Sequence, residues 1–217
     1  MKASHRFANK GLPEMTSILP TAPHFGAPIP IVPRPELLAF LATRRSTSAV
    51  ALAEPGPLRD QVADLLRLAA RVPDHGKLAP WRFIILETQA KAAFAERLES
   101  LANARGDKRA VAKLAKLKAP PLAIAVVSVP RSGDIPQWEQ QLSAGAVCTT
   151  LLYAAQALGY GANWITDWYA YDIEAKAILG LGSDENVAGF IFIGTSAEPP
   201  QERERPNLEA LVSRWVA

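Results

Sequence analysis

The sequence predicts an α+β sandwich in which helices cover both faces of one sheet. Three observations carry that expectation. Helical apolar spacing dominates the chain, the strand candidates are few and widely separated, and no internal repeat is visible. The strand candidates at 81–86, 121–129 and 187–193 are apolar almost throughout, as strands buried on both faces must be.

Composition bounds the function. With 217 residues, 49% apolar and 21% charged, the chain suits one domain with a sizeable core. Its 24 basic and 21 acidic residues leave a net charge of +3 and are interspersed, so the charge balance does not ask for nucleic acid. Lysines 108, 113, 116 and 118 form a local basic face without interleaved aromatics, which reads as a solvated surface. Cys148 stands alone in an apolar helical pattern, as a small buried hydrophobe would. No disulfide or cysteine zinc site is possible within the chain, and one cysteine fits a reducing, cytoplasmic setting. No apolar run is long enough to span a bilayer.

Seven prolines between Pro13 and Pro35 make residues 1–33 an extended, loosely ordered leader without the apolar core of a secretory signal. The domain, 34–217, opens with a helix from Pro35, a favourable first helical residue. That helix runs out in Arg44-Arg45-Ser46, followed by Thr47 and Ser48. Cations in a last turn suit the helix dipole, and two guanidinium forks beside hydroxyls also suit a phosphate. From Leu58 a second helix places Val62, Leu65, Leu66 and Ala69 on one face, with Asp60, Asp64, Arg67 and Arg71 opposite, until Pro73 stops it.

The stretch Arg71-Val-Pro-Asp-His75-Gly-Lys77-Leu-Ala-Pro80-Trp81 is a shaped loop, because proline fixes φ and glycine permits unusual φ. Projecting cations there suit a flat anionic ligand, although taken alone the loop also fits a rigid turn with solvated charges. Helices follow from Thr88 and over 107–118. Between Pro136 and Gly159 lies the longest helix, apolar nearly all round in its middle and therefore covered on every side, by its own domain or by a second chain. A short strand at 162–166 comes next, then a helix capped by Asp172 and ended by Gly180, and finally the strand closing at Gly194. Residues 208–216 fit a short helix or, preferably, an extended arm pairing with a sheet edge.

Several chemistries find no support. There is no dinucleotide fingerprint, phosphate-loop motif, nucleophile elbow or metalloprotease helix motif. His5, His24 and His75 are the histidines, and two of them lie in the leader, so a triad or histidine metal centre would rest on His75 alone. Asp74 and His75 are adjacent, which is poor geometry for a general-base pair. A chain without self-sufficient catalytic side chains can still be an enzyme when a cofactor carries the chemistry.

Taken together, Arg44-Arg45-Ser46, the Arg71–Phe83 stretch, Trp138-Glu139-Gln140 and the strand Gly189–Thr195 resemble the nitroreductase family, more narrowly its short bacterial NAD(P)H nitroreductase branch. The resemblance covers Pro35 to the end. It implies a three-layer α/β/α sandwich on a mixed central sheet, and a homodimer with tightly bound FMN at the subunit interface. It also implies ping-pong hydride transfer from NAD(P)H to a nitro compound, quinone or similar electron-poor acceptor. A flavin-binding sensor or carrier without turnover is the alternative. Carried over residue by residue, Arg44, Arg45 and Ser46 hold the phosphate and ribityl end. Arg71 and His75 contact FMN from the loop, and Trp164, Ile165 and Thr166 line it from the other part of the site. Ile165 stands where the branch often has arginine, which points to a backbone contact there. Lys77 is a candidate near the flavin carbonyls, and Arg203 or Arg205 a candidate near the phosphate. No catalytic side chain, metal, nucleic acid or membrane is implied.

Overall fold

The computed structural model describes residues 17–216. Seven helices are assigned among them: α1 (Pro35–Thr43), α2 (Arg59–Ala69), α3 (Thr88–Ala104), α4 (Lys108–Lys113), α5 (Ala115–Lys118), α6 (Gln137–Ala157) and α7 (Ile173–Ile178). Five strands complete the framework: β1 (Leu52–Ala53), β2 (Trp81–Leu86), β3 (Leu122–Ser128), β4 (Gly161–Ile165) and β5 (Asn186–Ser196).

The central strands sort their side chains into two layers, as a pleated strand must. Leu122, Ile124 and Val126 of β3 and Ile191 and Ile193 of β5 join Val62 and Leu65 of α2 and Val147 and Leu151 of α6. Ala123, Ala125, Phe190 and Phe192 turn the other way, onto Phe94 and Leu98 of α3, Leu117 of α5 and Ala175 of α7. Helices therefore cover both faces, and the three-layer expectation holds. Cys148 sits wholly inside the α2–α6 layer, where burial pushes its thiol up to about 12.

The expected mixed sheet is corrected: every neighbouring pair among the described residues is antiparallel. The connections explain it. The chain leaves β2 through α3 and returns through α4 and α5, so β3 re-enters at the end it left. By contrast α6 crosses the sheet alone, making β3 and β4 parallel, but β5 lies between them and pairs with both. Strand β2 is one edge of the sheet, and its residues are mostly half-buried rather than fully enclosed.

Three further expectations change. Asp64 is not on a solvated face but is 3% exposed, because Ser17 Oγ donates to its Oδ1 at 2.6 Å and the Ile18 N–H to its Oδ2 at 2.9 Å. Of the expected leader, residues 1–16 lie outside the described residues, while 17–33 hold neither helix nor strand yet begin on this contact. Lys113 and Lys116 flank buried Asp167 at 3.4 and 3.3 Å, and Lys118 meets Glu99 at 2.7 Å, so that face is paired and not merely solvated. Residues 208–216 pair with no strand among the described residues: Leu208–Ala210 form one 3-10 turn, and Leu211, Val212, Trp215 and Val216 are exposed.

Candidate active site

Arg44 leaves α1 in extended conformation, which aims its side chain along the C-terminal half of α6. Its Nε donates to Gln156 Oε1 at 3.2 Å, its Nη2 to Ser46 Oγ at 3.3 Å, and its guanidinium sits 5.5 Å from the Tyr153 ring centroid. The Gln156 amide donates back to the Arg45 carbonyl. Thr47 continues the segment onto β4, its N–H donating to the Ala162 carbonyl at 3.0 Å. The two arginines are thus presented from a stitched-down backbone, with their rotamers partly ordered in advance. They open onto a cleft of about 560 Å³ that Thr47, Gln156, Tyr160 and Glu198 also line. Arg45 faces the C-terminal segment, donating to the Gln201 carbonyl at 2.9 Å with the Glu202 carboxylate at 3.9 Å. Arg205 pairs with that same Glu202 at 2.8 Å.

At the other end of α6 the shaped loop is held in a strained form. Gly76 has φ 71°, but Lys77 at 55° and Ala79 at 44° are left-handed without being glycine. The Asp74 carboxylate accepts from the Leu78 and Ala79 N–H groups at 3.2 and 2.8 Å, so it shapes the backbone and does not orient its neighbour His75. Instead His75 Nδ1 lies 2.6 Å from Glu139 Oε2, and one helical turn further on Ser143 Oγ donates to the Pro73 carbonyl at 2.8 Å and accepts from Trp81 Nε1 at 3.2 Å. Gln140, 3% exposed, bonds Arg131 and the Ile135 carbonyl, and so fixes the segment that enters the helix. Arg71 and Lys77 are exposed on this loop.

Trp164 stands between the two ends, 39% exposed on the α6 side of β4. Its indole lies across Gly189 and donates to the Ala188 carbonyl at 3.2 Å. Ile165 packs into the opposite layer, so its backbone alone faces the Trp164 side. Thr166 Oγ1 lies 2.7 Å from the Tyr171 hydroxyl.

One chain therefore does not gather the expected residues into one pocket. Arg44 is anchored at Gln156 and His75 at Glu139, positions about 25 Å apart along a single helix at the α-helical rise per residue. Sequence reading named both groups but paired neither Arg44 with Gln156 nor His75 with Glu139. The Trp138-Glu139-Gln140 string was the available signal for the latter. A second cavity of about 390 Å³, beside Trp168 and Tyr171, offers no spare cation, because Arg105 is held by Asp172 and Glu174.

A model described as "Nitroreductase family" matches residues 41–195. The "Putative NAD(P)H nitroreductase YdjA" of Escherichia coli (strain K12) is 32% identical over 163 residues, covering 74% of this chain and 88% of that protein. A Haemophilus influenzae protein named "Putative NAD(P)H nitroreductase" is 32% identical over 177 residues, covering 78% and 92%. Among solved structures, a nitroreductase-like family protein from Bacillus cereus superposes with TM-score 0.74 at 18% identity, covering 85% of this chain and 98% of that one. A nitroreductase with bound FMN from Bacteroides fragilis gives 0.64 at 20% identity, covering 82% and 98%. Fold, motif order and homology agree: the chain belongs to the Nitroreductase family, a family of oxidoreductases.

Proposed function

We propose that two copies of this chain bind FMN between them and reduce nitro compounds, quinones or related electron-poor acceptors with NAD(P)H. The observation that carries this reading is the separation of the two half-sites along α6. A twofold axis that sets two α6 helices antiparallel brings the Arg44 end of one copy beside the His75 end of the other. The surface needed for such a contact is present, since Trp138 and Leu142 of α6 are 66% and 54% exposed and Trp215 is 88% exposed. The names of the E. coli and H. influenzae relatives, and the FMN bound by the B. fragilis protein, support the choice of cofactor and donor.

The donor set fits such a cofactor. A phosphate dianion is matched by the forks of Arg44 and Arg45 with the Ser46 hydroxyl beside them. Trp164 supplies a flat apolar wall that excludes water from one side of a ring, while the Ile165 backbone and Thr166 hydroxyl supply polar contacts at its edge. Arg71 and His75 close the site from the partner's side. When bound, FMN supplies the two-electron centre that takes hydride from the nicotinamide and passes it to the acceptor. Reduced nicotinamide is a cytoplasmic metabolite, and we place the protein there.

Purified protein should be yellow, should sediment as a dimer, and should bleach with NADH or NADPH under anaerobic conditions. Arg44→Ala should weaken FMN binding at least about tenfold while leaving riboflavin binding, which has no phosphate to lose, nearly unchanged. A folded, colourless protein that refuses added FMN would sink the reading. Bound FMN that neither nicotinamide reduces would leave a flavin carrier.

A further inference from the structure

The contact between His75 and Glu139 is not explained by folding alone. Glu139 is 44% exposed and His75 60% exposed in their side chains, so neither needs the other for burial. A surface pair of this kind adds little stability. Yet the loop that carries His75 accepts left-handed backbone at Lys77 and Ala79, and α6 pins it twice on one face, at Glu139 and at Ser143. Strain of that kind persists where the surroundings over-determine a conformation that function uses.

We propose that Glu139 is the positioning residue of a two-residue relay, in which His75 supplies the proton that accompanies hydride to the acceptor. The proposal rests on the flavin reading and assigns this site a proton donor. With Nδ1–H donated to the Glu139 carboxylate, the imidazole is fixed in tautomer and orientation, and Nε2 is the ring nitrogen this contact leaves for a ligand. The charged groups on the elements packed against it are Arg71, Asp74 and Lys77 on its own loop, Glu139 on α6, and, elsewhere on the segment whose Ile135 packs over Gly76, Arg131 and Asp134. Asp74 is spent on backbone N–H groups, which leaves Glu139 as the carboxylate bonded to the ring.

The step balances for a quinone acceptor. A bound, reduced flavin would supply hydride, two electrons and one hydrogen, which would turn the quinone into the hydroquinone monoanion and leave the flavin oxidised. The Nε2–H bond of the imidazolium then breaks, its electron pair stays on nitrogen, and the proton forms the second O–H bond of the hydroquinone. Water reprotonates the ring through its exposed edge. Glu139 holds the ring in place before and after the transfer.

The test separates this proposal from the reading beneath it. In flavin-free protein, with the pH raised until the ring is neutral, long-range proton–nitrogen NMR should show His75 protonated at Nδ1, and Glu139→Gln should abolish that preference. In flavin-loaded protein, stopped-flow should show His75→Gln and Glu139→Gln reoxidising with p-benzoquinone about a hundredfold more slowly, the scale of general acid catalysis, with Glu139→Asp partly restored. Measured at saturating FMN, reoxidation should slow by a much larger factor than reduction by the nicotinamide in these variants. Variants that bind FMN and reoxidise at the wild-type rate, or a His75 ring with no Nδ1 preference, would overturn the proposal and leave the flavin reading standing. Wild-type protein that takes no FMN would overturn both.

Discussion

Trp164 rests on Gly189 so closely that a side chain on that glycine would overlap the indole at Nε1 and Cδ1. The register pairs Trp164 with Ile191, and the ring reaches diagonally along β5 to cover Gly189. Gly189→Ala should therefore push the indole off the sheet and break its bond to the Ala188 carbonyl. We expect about 1–3 kcal/mol of overpacking cost, a shifted tryptophan emission and weaker FMN binding. Unchanged melting and flavin titration would show that the indole has room to move without consequence.

The contact of Ser17 and Ile18 with Asp64 makes the proline-rich segment part of the domain's energetics. Removing residues 1–20 would take from Asp64 both donors and the segment that covers it, while Arg67 stands 3.9 Å away. Thermal denaturation should show a loss of about 1–3 kcal/mol for the truncated chain, and a smaller one for Ser17→Ala. In the truncated chain Asp64→Leu should recover part of the loss. Equal melting temperatures for full-length and truncated protein would mean the segment is a passive leader.

Tyr169 is wholly buried, stacked edge-on against Phe190 at 5.0 Å, and its hydroxyl has no hydrogen-bond partner among the described residues. Burial, and then the charge of Asp167, push the phenol well above its ordinary range. Tyr169→Phe removes an unsatisfied group and keeps the ring, so it should be neutral or stabilising by up to about 1 kcal/mol in a denaturant titration. A clear loss would reveal a partner for the hydroxyl.

Glu185 accepts from Arg82 Nε and Nη2 at 2.7 and 2.6 Å, and this bidentate bond holds its carboxyl below the usual range although burial opposes it. A depressed folded value means the stabilisation is present above the unfolded value and is lost as pH falls through the folded one. Stability should therefore decline in the acid range, below the ordinary glutamate value. Glu185→Gln should cost about 1 kcal/mol at neutral pH and flatten that decline, as melting curves over a pH series would read. An acid limb as steep as the wild type's would assign the loss to other carboxylates.

Much of the fold was legible because its signals are local. The continuous apolar run of β3, the all-round apolar middle of α6, the cap at Asp172 and the stop at Gly180 each follow from propensity, period or capping within a few residues. Arg44-Arg45-Ser46 and the loop around His75 stood out as short strings whose residue types suit an anionic ligand, and it was the family resemblance that gave them a place in a site.

What local pattern cannot carry is the company a residue keeps across the fold. Asp64 reads as a solvated helix position until Ser17, 47 residues away, covers it. His75 has no orienting acid within its own loop, and α6 brings Glu139 to it from 64 residues further on. The division of the arginine and imidazole groups between the two ends of α6 exists only once the layers are stacked. Residue type and spacing thus set which elements form and what chemistry they bear. Packing of the helices on the sheet decided which groups meet, because contacts between distant segments depend on crossing geometry and register, to which neighbouring residues along the chain contribute no signal.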